Sequence, residues 1–185
     1  MTRPDVPHAT EPRDVLRAPE PRDAATLHAL FDDPEIMRFV GDGSVKDLAY
    51  YEGFVRRQAE AFRAEGVCLF LVEHDGAPAG FVGAQRWRLP WGPEGEMEVG
   101  WRLGRAFRGR GIATSAGRRV LERLRSAGHA SAVALIDDGN AASIRVAERL
   151  GMRLGARHEV EGSQLAADAD PSRPGRMVLE YRIGL

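Results

Sequence analysis

Two hydrophobic rhythms alternate along this chain. Apolar residues recur at every third or fourth position from Val45 to Ala64, the spacing of one face of a helix, and Gly66 follows as a stop. Short apolar runs bounded by Gly, Pro and Asp predict strands instead: Val67–Glu73 and Ala79–Leu89 on either side of a turn over His74–Pro78, and Glu96–Leu103 after a Pro90–Pro93 loop. Earlier in the chain, Asp14–Ala18 reads as a short strand stopped by Pro19 and Pro21. Arg22–Phe31 reads as a helix, and Asp33-Pro34-Glu35 as a second helix start with Pro at its first position, broken by Gly41 and Gly43. Later, Arg110–Ala127 is a helix ended by Gly128, and Ala130–Ile136 an apolar strand of the buried, parallel kind. Ala141–Leu150 is a helix closed by Gly151, after a turn over Asp137–Asn140. Met152–Glu161 and Arg176–Ile183 are closing strands, joined by a mobile loop over 162–175. Helices first, then a meander, then two strand–helix crossovers imply a mixed α/β (α+β) sheet.

Residues 1–12 carry three Pro and no periodicity, which predicts a loose tail ahead of one domain over 13–185. The 185 residues suffice for a single sizeable core. A net charge of −1 and the lack of any 18-residue apolar run argue against nucleic acid and membrane as partners, and a cytoplasmic protein is expected. Cys68 is the only cysteine and sits in an apolar run, so it reads as buried filling; neither an intrachain disulfide nor a cysteine metal site is available, and no His, Asp or Glu pair has metal-ligand spacing. Lys46 is the only lysine, so arginine content alone carries no meaning, but clustering does. Residues 102–125 hold eight Arg against the single acid Glu122, an excess suited to a polyanionic ligand.

That cluster surrounds the most informative segment. Arg108-Gly109-Arg110-Gly111-Ile112-Ala113-Thr114 opens a helix directly after a strand. A helix start offers unpaired amides and partial positive charge to a phosphate; Gly109 and Gly111 permit close backbone approach, and Arg108 and Arg110 add forked donors. A P-loop would need Gly-Lys-Ser/Thr, and a dinucleotide fingerprint a third Gly where Thr114 stands. The pattern that fits is Arg/Gln-x-x-Gly-x-Gly/Ala, filled by Arg108, Gly111 and Ala113. A second segment, Asn140-Ala-Ala-Ser143-Ile-Arg-Val-Ala-Glu-Arg-Leu150-Gly151-Met152, follows one strand–helix crossover later. Asn140 is well placed to cap its helix, with Ser143 three residues on.

Together these segments resemble the GNAT superfamily of acetyl-CoA-dependent N-acetyltransferases, in particular the branch of the ribosomal-protein-alanine (Rim-type) acetyltransferases. Asp33–Phe39 resembles that branch's early helix, and the likeness runs from about Val15 to Ile183. It implies a central, mostly antiparallel sheet of about seven strands, splayed in the middle and flanked by helices. It implies acetyl-CoA as cosubstrate, no metal, an amine acceptor as the other partner, and pairing of two copies through the late strands. The diphosphate would rest on 108–114. The pantetheine arm would lie along the backbone of Val99, Trp101 and Leu103, and near Asn140 and Ser143, like a short added strand.

The resemblance further implies direct attack of a neutral amine on the thioester, which needs a base, an oxyanion donor and an acid. A backbone N–H near Gly100 or Trp101 would hold the oxyanion. The helix position where many relatives carry an acidic Tyr is Ala147 here, so Ser143 is the substitute. The fifth-strand Glu used as base by some relatives is Leu135 here, leaving Glu98, with the role of an edge-strand surface carboxylate beside Glu96 as its alternative. His129, His28, His74 and His158 read as surface or packing residues. An α-amine, with a pKa near 8 against about 10.4 for lysine, suits this base inventory best. The acceptor would be a protein N-terminus or a small amine, chosen by 31–50, 86–95 and 160–176, of which the first has an acidic cast. An acyl-CoA-binding or sensing domain with weak catalysis is the alternative, and a nucleic-acid binder using the Arg cluster a third.

Overall fold

Strand order decides where the gap in this sheet falls. In the computed structural model, which describes residues 14–166, 169, 170, 172 and 174–185, seven strands form one sheet. They are β1 (Asp14–Arg17), β2 (Leu69–His74), β3 (Ala77–Arg86), β4 (Met97–Leu103), β5 (Ser131–Asp137), β6 (Arg153–Val160) and β7 (Arg176–Gly184), in the order β1-β2-β3-β4-β5-β7-β6. Every neighbouring pair is antiparallel except β4 and β5, which run parallel and meet at one rung, Glu98 opposite Val133. The tail expected over 1–12 lies outside the described residues.

Five α-helices among the described residues cover the two faces: α1 (Asp23–Phe31), α2 (Pro34–Met37), α3 (Leu48–Glu65), α4 (Ile112–Ser126) and α5 (Ala141–Arg149). Side chains of a strand alternate between faces, so each interior strand feeds two cores. Val82, Val99 and Ala134 pack with Val120 and Leu124 of α4 and Ala147 of α5. Leu69, Leu71 and Phe81 pack on the other face with Phe31, Tyr51 and Phe54 from α1 and α3. A smaller cluster of Val160, Leu165 and Val178 closes the β6–β7 end.

Local chemistry explains most boundaries. Asp33 caps α2 by accepting the Glu35 amide at 2.9 Å, with Pro34 first in the helix. α3 starts at Leu48 rather than at Val45, because the Asp47 carboxylate accepts the Tyr50 amide at 2.8 Å and fixes the cap there. The β2–β3 turn is tighter than His74–Pro78: Asp75 and Gly76 both have positive φ (49° and 78°), as a two-residue Asp-Gly hairpin requires. Pro78 sits inside β3, beside a register shift at Val72/Glu73 that absorbs its missing donor.

Candidate active site

The cradle begins where β4 ends. After Leu103 the chain makes one tight turn over Arg105–Phe107, then enters α4 through Gly111. Gly109 and Gly111 have φ of 75° and 81°, the left-handed region that disfavours side chains, and no side chain caps the helix. Its first amides therefore lack intrahelical acceptors. The side chains of Ile112, Ala113 and Thr114 are buried, so these residues present backbone to the outside. Arg108 and Arg110 are exposed beside them, and the first turn of α4 contains no acid. Arg108 Nε also donates to the Leu103 carbonyl at 3.3 Å, which ties the loop to the strand.

The gap lies alongside. Among the described residues, β4 pairs with β5 only at the Glu98–Val133 rung. Those backbone groups of Val99–Leu103 that point away from β3 are left for another extended molecule. Val99 and Leu103 bury their side chains against α4, so only their main chain faces the gap. Trp101 is half-buried on that same face, and its indole N–H donates to Ser143 Oγ at 3.2 Å. Asn140 caps α5, its Oδ1 accepting the Ser143 amide at 3.2 Å. One helix start thus holds Asn140, Ser143 and, through Ser143, Trp101.

Glu98 points to the opposite face, with Gly100 and Arg102. It is not an edge carboxylate: β4 is an interior strand, and burial pushes the Glu98 carboxyl up to about 7, with an opposing hydrogen bond from Gln85 across the β3–β4 pair. Gln85 is itself held: Gln58 Nε2 of α3 donates to Gln85 Oε1 at 3.2 Å, and Gln58 Oε1 accepts the Leu69 amide at 2.8 Å. The site therefore has an anion cradle, a gap with free strand backbone, a hydroxyl on one side and a near-neutral carboxyl on the other.

The acetyltransferase (GNAT) domain profile matches residues 13–153. This chain belongs to the GNAT acetyltransferase family. It is 36% identical over 141 residues to the uncharacterized protein YkkB of Bacillus subtilis (strain 168), a match spanning 74% of this chain and 80% of that protein. Its fold is that of RimL, a ribosomal alpha-N-protein acetyltransferase solved with coenzyme A (TM-score 0.74, 15% identity, 94% of each chain). It is also that of the microcin self-immunity acetyltransferase MccE, solved with acetyl-CoA and AMP (TM-score 0.73, 17% identity, 94% of this chain and 93% of that one).

Several further positions of this GNAT chain bear on the expectations above. Glu96 is engaged in a two-pronged ion pair with Arg182, both bonds 2.7 Å, which leaves Glu98 the freer carboxylate. His158 is no plain surface residue: its Nε2 lies 2.8 Å from the buried Glu180, which also accepts from Arg182 Nε at 2.5 Å. Ala147 is fully buried in the α4–α5 core. Cys68 is buried and its thiol pushed up to about 12 by that burial, which suits filling and not nucleophilic attack. The acidic cast of 31–50 is partly neutralised internally, since Asp33 pairs with Arg105 at 2.8 Å and the buried Asp42 with Lys46 at 3.6 Å. Among the described residues no three His, Cys, Asp or Glu side chains converge as a metal site would require, and no helix is long and apolar enough to cross a membrane.

Sequence reasoning missed Gln58, Gln85 and Arg102. Gln85 and Arg102 share the face of Glu98 through strand alternation and the β3–β4 register. The period-two rule exposes the second of these from sequence; the first depends on register, which no local signal specifies.

Proposed function

We propose that this chain transfers an acetyl group from acetyl-CoA to a primary amine, of a protein N-terminus or a small molecule, by direct attack, and that residues 13–185 act as one N-acetyltransferase domain. The observation that carries this reading is the placement of Glu98: a carboxyl at about 7, on the one rung that joins β4 to β5 at the mouth of the gap. A base with that affinity takes a proton from an α-ammonium of pKa near 8 more readily than from a lysine near 10.4.

In this reading the CoA diphosphate rests on the amides of Ile112, Ala113 and Thr114, flanked by Arg108 and Arg110. The pantetheine arm pairs with the backbone of Val99–Leu103 and passes Asn140. Glu98 accepts the proton of the ammonium, directly or through one water. The freed nitrogen pair forms the new C–N bond at the thioester carbonyl, whose oxygen takes the charge beside the amides near Gly100 and Trp101. As the intermediate collapses, the C–S bond breaks toward sulfur. Ser143, held by the Trp101 N–H and the Asn140 cap, hydrogen-bonds the departing thiolate and relays to it the second proton that the newly bonded nitrogen sheds, giving free CoA thiol and the neutral amide.

Purified protein and acetyl-CoA, offered a panel of α-amines and lysine-like amines and followed by thiol release, tests this. Release with α-amines supports the reading. CoA binding without release for any amine would instead make the chain an acyl-CoA-binding domain, and no CoA binding would remove both readings.

A further inference from the structure

Arg102 is the second unusual group on the Glu98 face of β4. It is half-buried, and its Nε is shut off from solvent with no hydrogen-bond partner. The rings of Phe31 and Phe81 lie 5.2 and 5.0 Å from the guanidinium carbon. Nη1 lies 3.4 Å from the sulfur of Met37, a weak acceptor, and the Tyr51 phenol is close by. Among the described residues no carboxylate pairs with it. The other arginines near this end of the fold are different: Arg105 has Asp33, Arg176 has Asp137, and Arg182 has Glu96 and Glu180.

A guanidinium stays charged in proteins, and taking it from water without a matching anion is costly. Aromatic rings over its faces recover part of that cost but supply no hydrogen-bond acceptor. What they lack is an anion, which a carboxylate supplies through charge-assisted hydrogen bonds to a guanidinium. Gly100, between Glu98 and Arg102 on the same face, has no side chain to fill the intervening floor; an added Cβ there would meet only Leu69 Cδ2, at 3.7 Å. Four residues of strand put the Cα atoms of Glu98 and Arg102 about 13 Å apart along one face.

We propose that Arg102 binds a carboxylate of the acceptor, so that the acceptor is a short amino acid or peptide whose amine lies toward Glu98 and whose free carboxylate meets Arg102. This rests on the acetyl-transfer reading and adds the substrate class to it. It also accounts for a cation on the acceptor face, where an acceptor chosen by positive charge alone would be repelled.

The experiment offers the enzyme and acetyl-CoA matched amines: free amino acids and dipeptides, and the same compounds as C-terminal amides. Expected is a carboxylate preference of roughly tenfold or more in kcat/KM, carried mainly by KM, because a charge-assisted pair is lost in the amide. Arg102→Met should bring the preference to near unity, and Arg102→Lys should retain part of it. Equal kcat/KM for the two forms in the unaltered enzyme overturns the inference, as does a preference that survives in a folded Arg102→Met. If Arg102→Met does not fold, the matched substrates and Arg102→Lys decide. Thiol release without carboxylate preference sinks only this inference, whereas no release with any amine sinks the transfer reading and this inference with it.

Discussion

Among the described residues, Glu98 and Val133 are the only pair that joins β4 to β5. Past that rung, toward Leu103, the two strands are unpaired. The rung puts a half-buried carboxyl at the mouth of the gap, with Trp101 on the far face of the same strand against Ser143. An acceptor approaching from the α1–α3 side and a thioester held on the α4–α5 side would meet between them.

Proton transfer through Glu98 has a pH signature. With a carboxyl near 7, kcat/KM should rise with pH through about 7 as the base ionises. Glu98→Gln should flatten that limb and lower kcat by roughly 100-fold or more, within the range for a lost general base. A profile with the same limb in both proteins would remove Glu98 from the chemistry.

The same group affects stability, in the opposite sense to a salt-bridged acid. Its folded value is raised from 4.5 to about 7, so between those pH values the folded chain holds a proton that the unfolded chain has released. Stability from this group is present below about 4.5 and lost as pH rises through about 7, by at most roughly 3 kcal/mol at 1.36 kcal/mol per unit. Urea titrations at pH 5 and pH 8 should show Glu98→Gln gaining on the parent chain at the higher pH. An equal difference at both would contradict it.

At the cradle, Gly111→Asp combines strain at a φ of 81° with a negative charge where a diphosphate would sit. CoA affinity by calorimetry should fall more than tenfold, and Arg108→Ala should weaken it several-fold with a shallower salt dependence. Gly111→Ala separates the two effects, since it keeps the strain and drops the charge. Unchanged affinity in Gly111→Asp and Arg108→Ala would refute the diphosphate assignment.

Ser143 and Asn140 touch each other but should fail differently. Ser143→Ala removes the hydroxyl held by Trp101 and should slow turnover with acetyl-CoA affinity retained. Asn140→Ala removes the α5 cap and should cost about 1 kcal/mol of stability. Thermal melts and single-turnover thiol release distinguish these outcomes, and full-rate turnover in Ser143→Ala would end its proposed role.

Much of the candidate site was legible from sequence because its signals are local. Gly109 and Gly111 permit a left-handed backbone, Asn140 sits three residues before the amide it caps, and alternation along 97–103 sorts Val99 and Trp101 from Glu98 and Arg102. These depend on the few residues beside each position. The late start of α3 and the tight Asp75–Gly76 turn show the limit of that reading, where one cap or one backbone angle overrode the hydrophobic pattern.

What the amino-acid order determined alone was therefore each element, its buried stripe, and the helix start suited to an anion. The tertiary structure decided which strands became neighbours: β7 entered between β5 and β6, β4 became interior, and Glu98 came to lie half-buried beside Gln85 instead of at an edge. It also set rings from α1 and β3 beside Arg102 and, among the described residues, gave it no carboxylate. The reason is physical: dihedral preference and periodicity act within a few residues, whereas register, desolvation and the choice of counterion arise only when segments distant in sequence exclude water from one another.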